Sequence, residues 1–138
     1  MAIDIKTVVL HCKKLKERKQ NIIKQFNGVF TDYTFYEDYD AEELTPQIIE
    51  ELYVSKKQNP QRWIEKISLW GPAALHYHNP QCNLAEISLT IKFGKVFQLL
   101  SKQDFDYCLV FEDDVFLTQD FENKFYTYLK QTPRSEEH

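Results

Sequence analysis

Three consecutive carboxylates, Glu112, Asp113 and Asp114, directly follow the apolar run of residues 107–111 (YCLVF). Adjacent negative charges repel one another, and each loses hydration if a strand carries it toward a core. Because residues i and i+2 of an extended chain point to the same side, Glu112 and Asp114 are predicted to share a site while Asp113 faces away. Carboxylate oxygens are ligands that Mg²⁺ and Mn²⁺ prefer, commonly together with phosphates of a substrate. A divalent cation that carries a diphosphate would offset the repulsion.

Two other interpretations of the triplet remain open at this point. An acidic run is usually a solvated turn, which needs no ligand. The acids could also cap a following helix, although Asp120 is better placed to cap the last helix of the chain.

The elements that position the triplet follow from hydrophobic periodicity and from capping residues. Runs rich in β-branched and aromatic residues predict strands over residues 7–11, 29–36 and 107–111. Apolar residues at helical spacing predict helices over residues 13–26, 46–57 and 84–101, and a last helix after residue 120. The segment 60–82 is predicted to be irregular, with a short element around 63–70.

Helix ends are marked by specific residues. Gly28 suits the stop of the first helix, and Thr45 is predicted to cap the second. Asn83 and Glu86 have the spacing of a capping box for the third helix. An apolar stripe predicts that the third helix is well buried, comprising Ile87, Leu89, Ile91, Phe93, Val96, Phe97 and Leu100. In the last helix, one face is shared by Phe121, Phe125, Tyr128 and Leu129.

The predicted alternation of strands and helices is typical of a layered α/β domain with a mostly parallel sheet. In such sheets, ligands bind outside the carboxyl ends of the strands. The triplet at residues 112–114 stands at such an end.

Composition is that of an ordinary globular chain of one domain, residues 1–138, with 43% hydrophobic residues. A net charge of -4 argues against nucleic-acid binding. The sequence shows no secretory signal and no transmembrane segment, which predicts a cytoplasmic location. Cys12, Cys82 and Cys108 are widely spaced and odd in number, so reduced thiols are expected, with Cys108 buried in its strand.

The segment NLAEISLTIKFGKVFQLLSKQDFDYCLVFEDDVFLTQDF, residues 83–121, resembles the core of glycosyltransferase family 25. This family includes lipooligosaccharide galactosyltransferases and collagen hydroxylysine galactosyltransferases. Its pattern has a Glu-Ile-Gly helix start and, about two dozen residues later, a strand that ends in Glu-Asp-Asp. Glu86-Ile87 and the acidic triplet match this pattern, and TVVLHCKKLKER resembles its opening strand and arginine, here Arg18. Ser88 replaces the glycine, and Lys92-Phe93 stand where the family usually has Ser-His.

The resemblance implies a three-layer α/β/α, Rossmann-like fold of the GT-A nucleotide-diphospho-sugar transferase type. It implies that the fold is incomplete or minimal here, because members of the family continue further; the chain would be the amino-terminal half of a longer catalytic domain or a shortened relative. The implied activity is metal-dependent transfer of a hexose, such as galactose, from a UDP-hexose donor to a glycan or protein acceptor.

The implied site combines metal ligands with contacts to the nucleotide donor. Glu112 and Asp114 would hold Mn²⁺ or Mg²⁺, and Asp113 would orient that shell or touch the ribose. Arg18 would contact the diphosphate, Asp38 the nucleoside, and Glu86 the donor. Each has a plainer alternative: a solvated basic helix face that includes Arg18, an acidic loop that includes Asp38, and capping by Glu86. No catalytic base or nucleophile can be assigned.

Other candidate residues have simpler explanations. His76 and His78 could ligate a metal, but a loop pair without a neighbouring acid or cysteine is the commoner case. Trp63 and Trp70 could stack on a base or sugar, but such residues more often pack a core.

Two rival functions follow from the same residues. A non-catalytic carbohydrate or protein interaction module could keep this fold without the acceptor half. Another Mg²⁺ enzyme, such as a phosphotransferase or nuclease, is disfavoured because the sequence has no phosphate loop and no basic patch.

Overall fold

A computed structural model of the chain describes residues 3–53 and 83–132. The described elements follow in the order β1 (Ile5–Leu10), α1 (Lys16–Phe26), β2 (Thr34–Tyr36), a 3₁₀ turn (Ala41–Glu43), α2 (Pro46–Leu52), α3 (Leu84–Leu100), β3 (Tyr107–Glu112) and α4 (Phe121–Gln131). Predictions that fall on the segment 54–82 lie outside the described residues: its irregular conformation, the short element at 63–70, Trp63, Trp70, His76 and His78.

The three strands form a parallel sheet in the order β2-β1-β3. Val8, Val9 and Leu10 of the central strand β1 are all buried. Since successive side chains of a strand point to opposite faces, burial of all three means that both faces of the sheet are covered, as is usual for parallel sheets. The predicted α/β fold with a mostly parallel sheet is therefore confirmed.

One face of the sheet packs against α1 around Phe26, which is fully buried with Val9 and Ile22. The Phe26 ring centroid lies 4.8 Å from that of Phe30 and 5.4 Å from that of Phe111. Aromatic pairs at such separations contribute roughly 0.5–1.5 kcal/mol each beyond the area they bury. This aromatic cluster fixes α1 against the strand that carries the acidic triplet.

Strand β2 is shorter than predicted, because only residues 34–36 of the expected 29–36 pair with β1. Phe30 and Tyr33 instead pack against the buried cluster of Val9, Ile22 and Phe26. Their β-forming composition thus reflects burial in a loop rather than strand pairing. Two helices are also shorter than predicted, α1 beginning at Lys16 and α2 ending at Leu52.

Several burial and capping predictions are wrong. Phe97 in α3 is exposed, because the buried stripe of this helix runs through Ile87, Ile91, Val96 and Leu100. Cys108 is exposed rather than buried. Asp120 precedes α4 in a left-handed conformation, and its carboxylate accepts a hydrogen bond from the Asn123 side chain and caps no backbone N–H group.

The predicted Thr45 cap is confirmed by the Ile48 N–H donating to its hydroxyl.

Two glycines offer a matched test of backbone conformation. Gly28, just after α1, has φ of +79°, whereas Gly94 lies within α3, and a methyl group at either position would meet no atom within 4 Å. We expect Gly28→Ala to lower the free energy of unfolding by about 1–2 kcal/mol, because an L side chain disfavours positive φ. Gly94→Ala should raise it by about 0.5–1 kcal/mol through helix propensity. Urea unfolding of both variants measures these changes. A change in the free energy of unfolding of the same sign in both variants would contradict the prediction.

The described residues divide into two compact units. Residues 3–37 with 96–132 form one unit, which contains the sheet, α1 and α4. Residues 38–53 with 83–95 belong to the second unit, which contains α2 and most of α3.

Candidate functional site

The register of the sheet determines which residues meet at the carboxyl edge of the first unit. Leu10, the last residue of β1, pairs with Glu112, the last residue of β3. The residues that follow Leu10 and Glu112 are therefore also adjacent, which brings His11 beside Asp113. The backbone N–H of His11 donates to the Tyr36 carbonyl at 3.0 Å, so the end of β1 is held by β2 as well.

Asp113 is the buried member of the acidic triplet, with only 7% of its surface exposed. Its Oδ2 lies 3.0 Å from Nδ1 of His11 and accepts the backbone N–H of Cys12 at 3.2 Å. Its Oδ1 accepts from Nη1 of Arg18 at 2.9 Å. Since an ionised carboxylate only accepts, His11 donates from Nδ1. These three donors compensate the desolvation of a buried negative charge.

Glu112 and Asp114, on either side of Asp113, are both exposed. The triplet therefore has one buried carboxylate held by the protein and two exposed carboxylates, and because β3 ends at Glu112, a common site for Glu112 and Asp114 stays a prediction. Directly after the strand the chain turns, with the Val115 N–H donating to the Glu112 carbonyl at 3.3 Å. Two exposed carboxylates beside a fixed backbone offer the hard oxygen donors that suit Mg²⁺ or Mn²⁺.

Arg18, on the first turns of α1, is the predicted donor contact that the structure brings to the triplet. Its salt bridge to Asp113 leaves 48% of the side chain exposed. The hydrogen bond and charge of Asp113 raise the pKa of Arg18 above its ordinary value, and Asp114 adds to this effect while desolvation opposes it. The guanidinium therefore stays cationic beside the exposed acids, where it can meet an anionic ligand.

The remaining basic residues of this region are solvated or paired. Lys19 forms a 2.7 Å ion pair with Glu37, and its Nζ lies 4.8 Å from the centroid of the Phe35 ring. Lys13, Lys14 and Lys16 are exposed. Of these three lysines, Lys13 and Lys14 precede α1 in a turn and Lys16 fits the alternative of a solvated helix face, whereas Arg18 is directed to the triplet.

Gln25 of α1 holds the loop that follows the triplet. Its Nε2 donates to the Val115 carbonyl at 3.0 Å, and its Oε1 accepts the Leu117 N–H at 2.7 Å. Val115 and Leu117 also pack against the core under α1. One side chain therefore satisfies the backbone on both sides of Phe116.

The other two predicted donor contacts, Asp38 and Glu86, belong to the second unit. Asp38 is exposed. The predicted capping box is confirmed, since Glu86 accepts the Asn83 N–H at 2.8 Å and Asn83 accepts the Glu86 N–H at 2.9 Å. Capping occupies one oxygen of Glu86, and a donor contact remains a proposal.

A buried ion pair in the second unit was not predicted from the sequence. Nζ of Lys92 lies 2.7 Å from Oδ1 of Asp40, and both side chains are 5% exposed. Near it, the Ser88 hydroxyl donates to the carbonyl of Tyr39, whose φ is +63°. Lys92 and Ser88 both hold the loop at 39–40, Lys92 through the Asp40 carboxylate and Ser88 through the Tyr39 carbonyl.

His11 and Gln25 were also missed by the sequence interpretation. The signal for His11 was available: it is the last residue of one predicted strand, Asp113 lies just past the end of another, and neighbouring parallel strands end at the same edge. For Gln25 there was no comparable signal, because its two partners are backbone groups about 90 residues away along the chain.

A parallel α/β sheet with acids at its carboxyl edge is typical of enzymes that bind nucleotides. The family model for glycosyltransferase family 25, described as an LPS biosynthesis protein, matches residues 4–138. The chain therefore belongs to glycosyltransferase family 25. A search of curated proteins gave no significant match. Among the described residues, no helix combines the length and apolar character that a membrane crossing requires.

Proposed function

We propose that the protein is a metal-dependent glycosyltransferase of the GT-A type that transfers a hexose, such as galactose, from a UDP-hexose donor to a glycan or protein acceptor. One observation carries this proposal: the inward Asp113 is fixed by three protein donors while Glu112 and Asp114 remain exposed at the carboxyl edge of the sheet. A solvated acidic turn would need no such anchoring. Family membership supplies the reaction class.

Glu112 and Asp114 would hold Mn²⁺ or Mg²⁺, which fits because both are hard carboxylate donors on one short segment. When bound, the metal would neutralise the diphosphate of the donor as it leaves. Arg18 would bind a phosphate oxygen through its exposed guanidinium donors, which form a planar fork. Asp113 would keep the segment in place and orient its neighbours. Asp38 and Glu86 are proposed as further donor contacts.

Asp114→Ala is expected to abolish most metal-dependent binding of UDP. Removal of one of two protein carboxylates should weaken binding by at least about tenfold, on the scale of changes around metal sites. Calorimetric titration of UDP in the presence of Mn²⁺ or of EDTA, on the native chain and on the variant, measures the effect.

The matched control is Asp104→Ala, which removes an exposed acid near the amino end of β3. It should bind UDP and Mn²⁺ as the native chain does. If the native chain binds UDP with the same affinity in Mn²⁺ as in EDTA, metal dependence is contradicted. No binding of UDP in either condition would favour the interaction module instead.

A further inference from the structure

Phe116, two residues after Asp114, is the most exposed large hydrophobic residue in the described part of the chain, with 77% of its surface accessible. Burial of a phenylalanine ring is favourable, so a ring held outward on a fixed backbone invites a functional explanation. A single exposed apolar residue on a mobile loop would need none. The loop at Phe116 is not of that kind.

The backbone on both sides of Phe116 is fixed. The Gln25 amide bonds the Val115 carbonyl and the Leu117 N–H, at 3.0 and 2.7 Å. The side chains of Val115 and Leu117 pack against the buried cluster under α1. Val115 and Leu117 are thus partly buried, whereas Phe116 between them is exposed on a segment whose backbone is held at both neighbours.

The position of Phe116 relates it to the triplet. Two residues of chain span at most about 7 Å between Cα atoms, so the Cα of Phe116 lies within that distance of the Cα of Asp114, one of the two carboxylates proposed to hold the metal. A hexose on a nucleotide diphosphate is attached to the terminal phosphate. One face of a pyranose ring carries mostly C–H groups, and such an apolar face packs on an aromatic ring.

We propose that Phe116 is a binding residue for the hexose of the nucleotide-sugar donor, which it contacts through the apolar face of the pyranose ring. This inference rests on the proposed function, because it presupposes that a nucleotide sugar is held at the triplet. It adds a specificity-determining contact to the sugar, whereas Glu112, Asp114 and Arg18 contact the diphosphate. The Gln25 amide positions this contact.

The test compares UDP with UDP-galactose and UDP-glucose in the presence of Mn²⁺, by calorimetric titration of the native chain, Phe116→Ala and Phe116→Tyr. Phe116→Ala should weaken binding of at least one UDP-hexose by about three- to tenfold, the range of an aromatic contact, and leave UDP binding unchanged. Phe116→Tyr keeps the ring and should restore native affinity. The control Tyr128→Ala removes a similarly exposed ring from α4 and should change neither affinity.

Equal losses for UDP and for both UDP-hexoses would overturn the inference, because the contact would then be to the nucleotide or to the fold. Unchanged affinities for all three ligands in Phe116→Ala would overturn it as well. Failure of the proposed function has a different signature, namely no Mn²⁺-dependent UDP binding by the native chain or by any variant. Thermal unfolding of Phe116→Ala should match that of the native chain because the side chain is exposed.

Discussion

Replacing Asp113 with alanine should lower the free energy of unfolding by about 3 kcal/mol, more than any other single change in the acidic triplet. The substitution removes the acceptor of three donors: Nδ1 of His11, the N–H of Cys12 and Nη1 of Arg18. His11 is 1% exposed, so its ring nitrogen would remain buried without this acceptor. Arg18 contributes less to the loss, since half of its side chain is in water.

The measurement is urea unfolding followed by circular dichroism, with Asp114→Ala as the matched control. Asp114 is exposed and carries the same charge one residue further on, so its removal should change stability by less than about 0.5 kcal/mol. The two aspartates should thus separate, with Asp113 governing stability and Asp114 governing metal-dependent binding. If both variants lose the same stability, the inward and outward roles assigned to the triplet are wrong.

Lys92→Met should lower the free energy of unfolding by about 3–5 kcal/mol, the range for removal of one partner from a buried ion pair. The variant leaves Asp40 buried without the ammonium group that now lies 2.7 Å from its carboxylate. Methionine keeps much of the volume and the unbranched stem of lysine, so the effect reports the charge rather than a cavity.

The double variant Lys92→Met with Asp40→Leu tests whether the two charges act as a pair. Replacing both charges by apolar groups of similar volume is often nearly neutral, so we expect most of the lost stability to return. Urea unfolding of the two single variants and the double variant completes the cycle. A double variant as unstable as the two single changes added together would show that the charges act independently.

The parts of the fold that could be predicted are those set by local pattern. The capping box at Asn83 and Glu86, the Thr45 cap and the strand before the triplet depend on residues a few positions apart. For Asp113, only the direction of the side chain was predicted. Alternation along a strand indicates which way a side chain points but does not indicate which residues it contacts.

The parts that could not be predicted depend on contacts distant in the sequence. Phe30 and Tyr33 are residue types that favour strands, but they lie in a loop and pack against the buried cluster under α1. Tyr128 has the helical spacing of a buried face and is exposed, since periodicity does not say how much of a helix a neighbour covers. The Lys92–Asp40 pair joins residues 52 positions apart, and no local rule relates them.

The pairing of β1 with β3 has a consequence for the order in which the molecule forms. β1 and β2 are joined through the single helix α1, whereas His11 and Asp113 are separated by 102 positions. Contacts of large sequence separation require the entropy of loop closure to be overcome before they contribute, and they slow folding. The acidic site exists only once this long-range pairing is made, because its anchor His11 and its carboxylates lie on different strands. We expect the β1–β3 pairing, and with it the acidic site, to form in one of the last steps of folding.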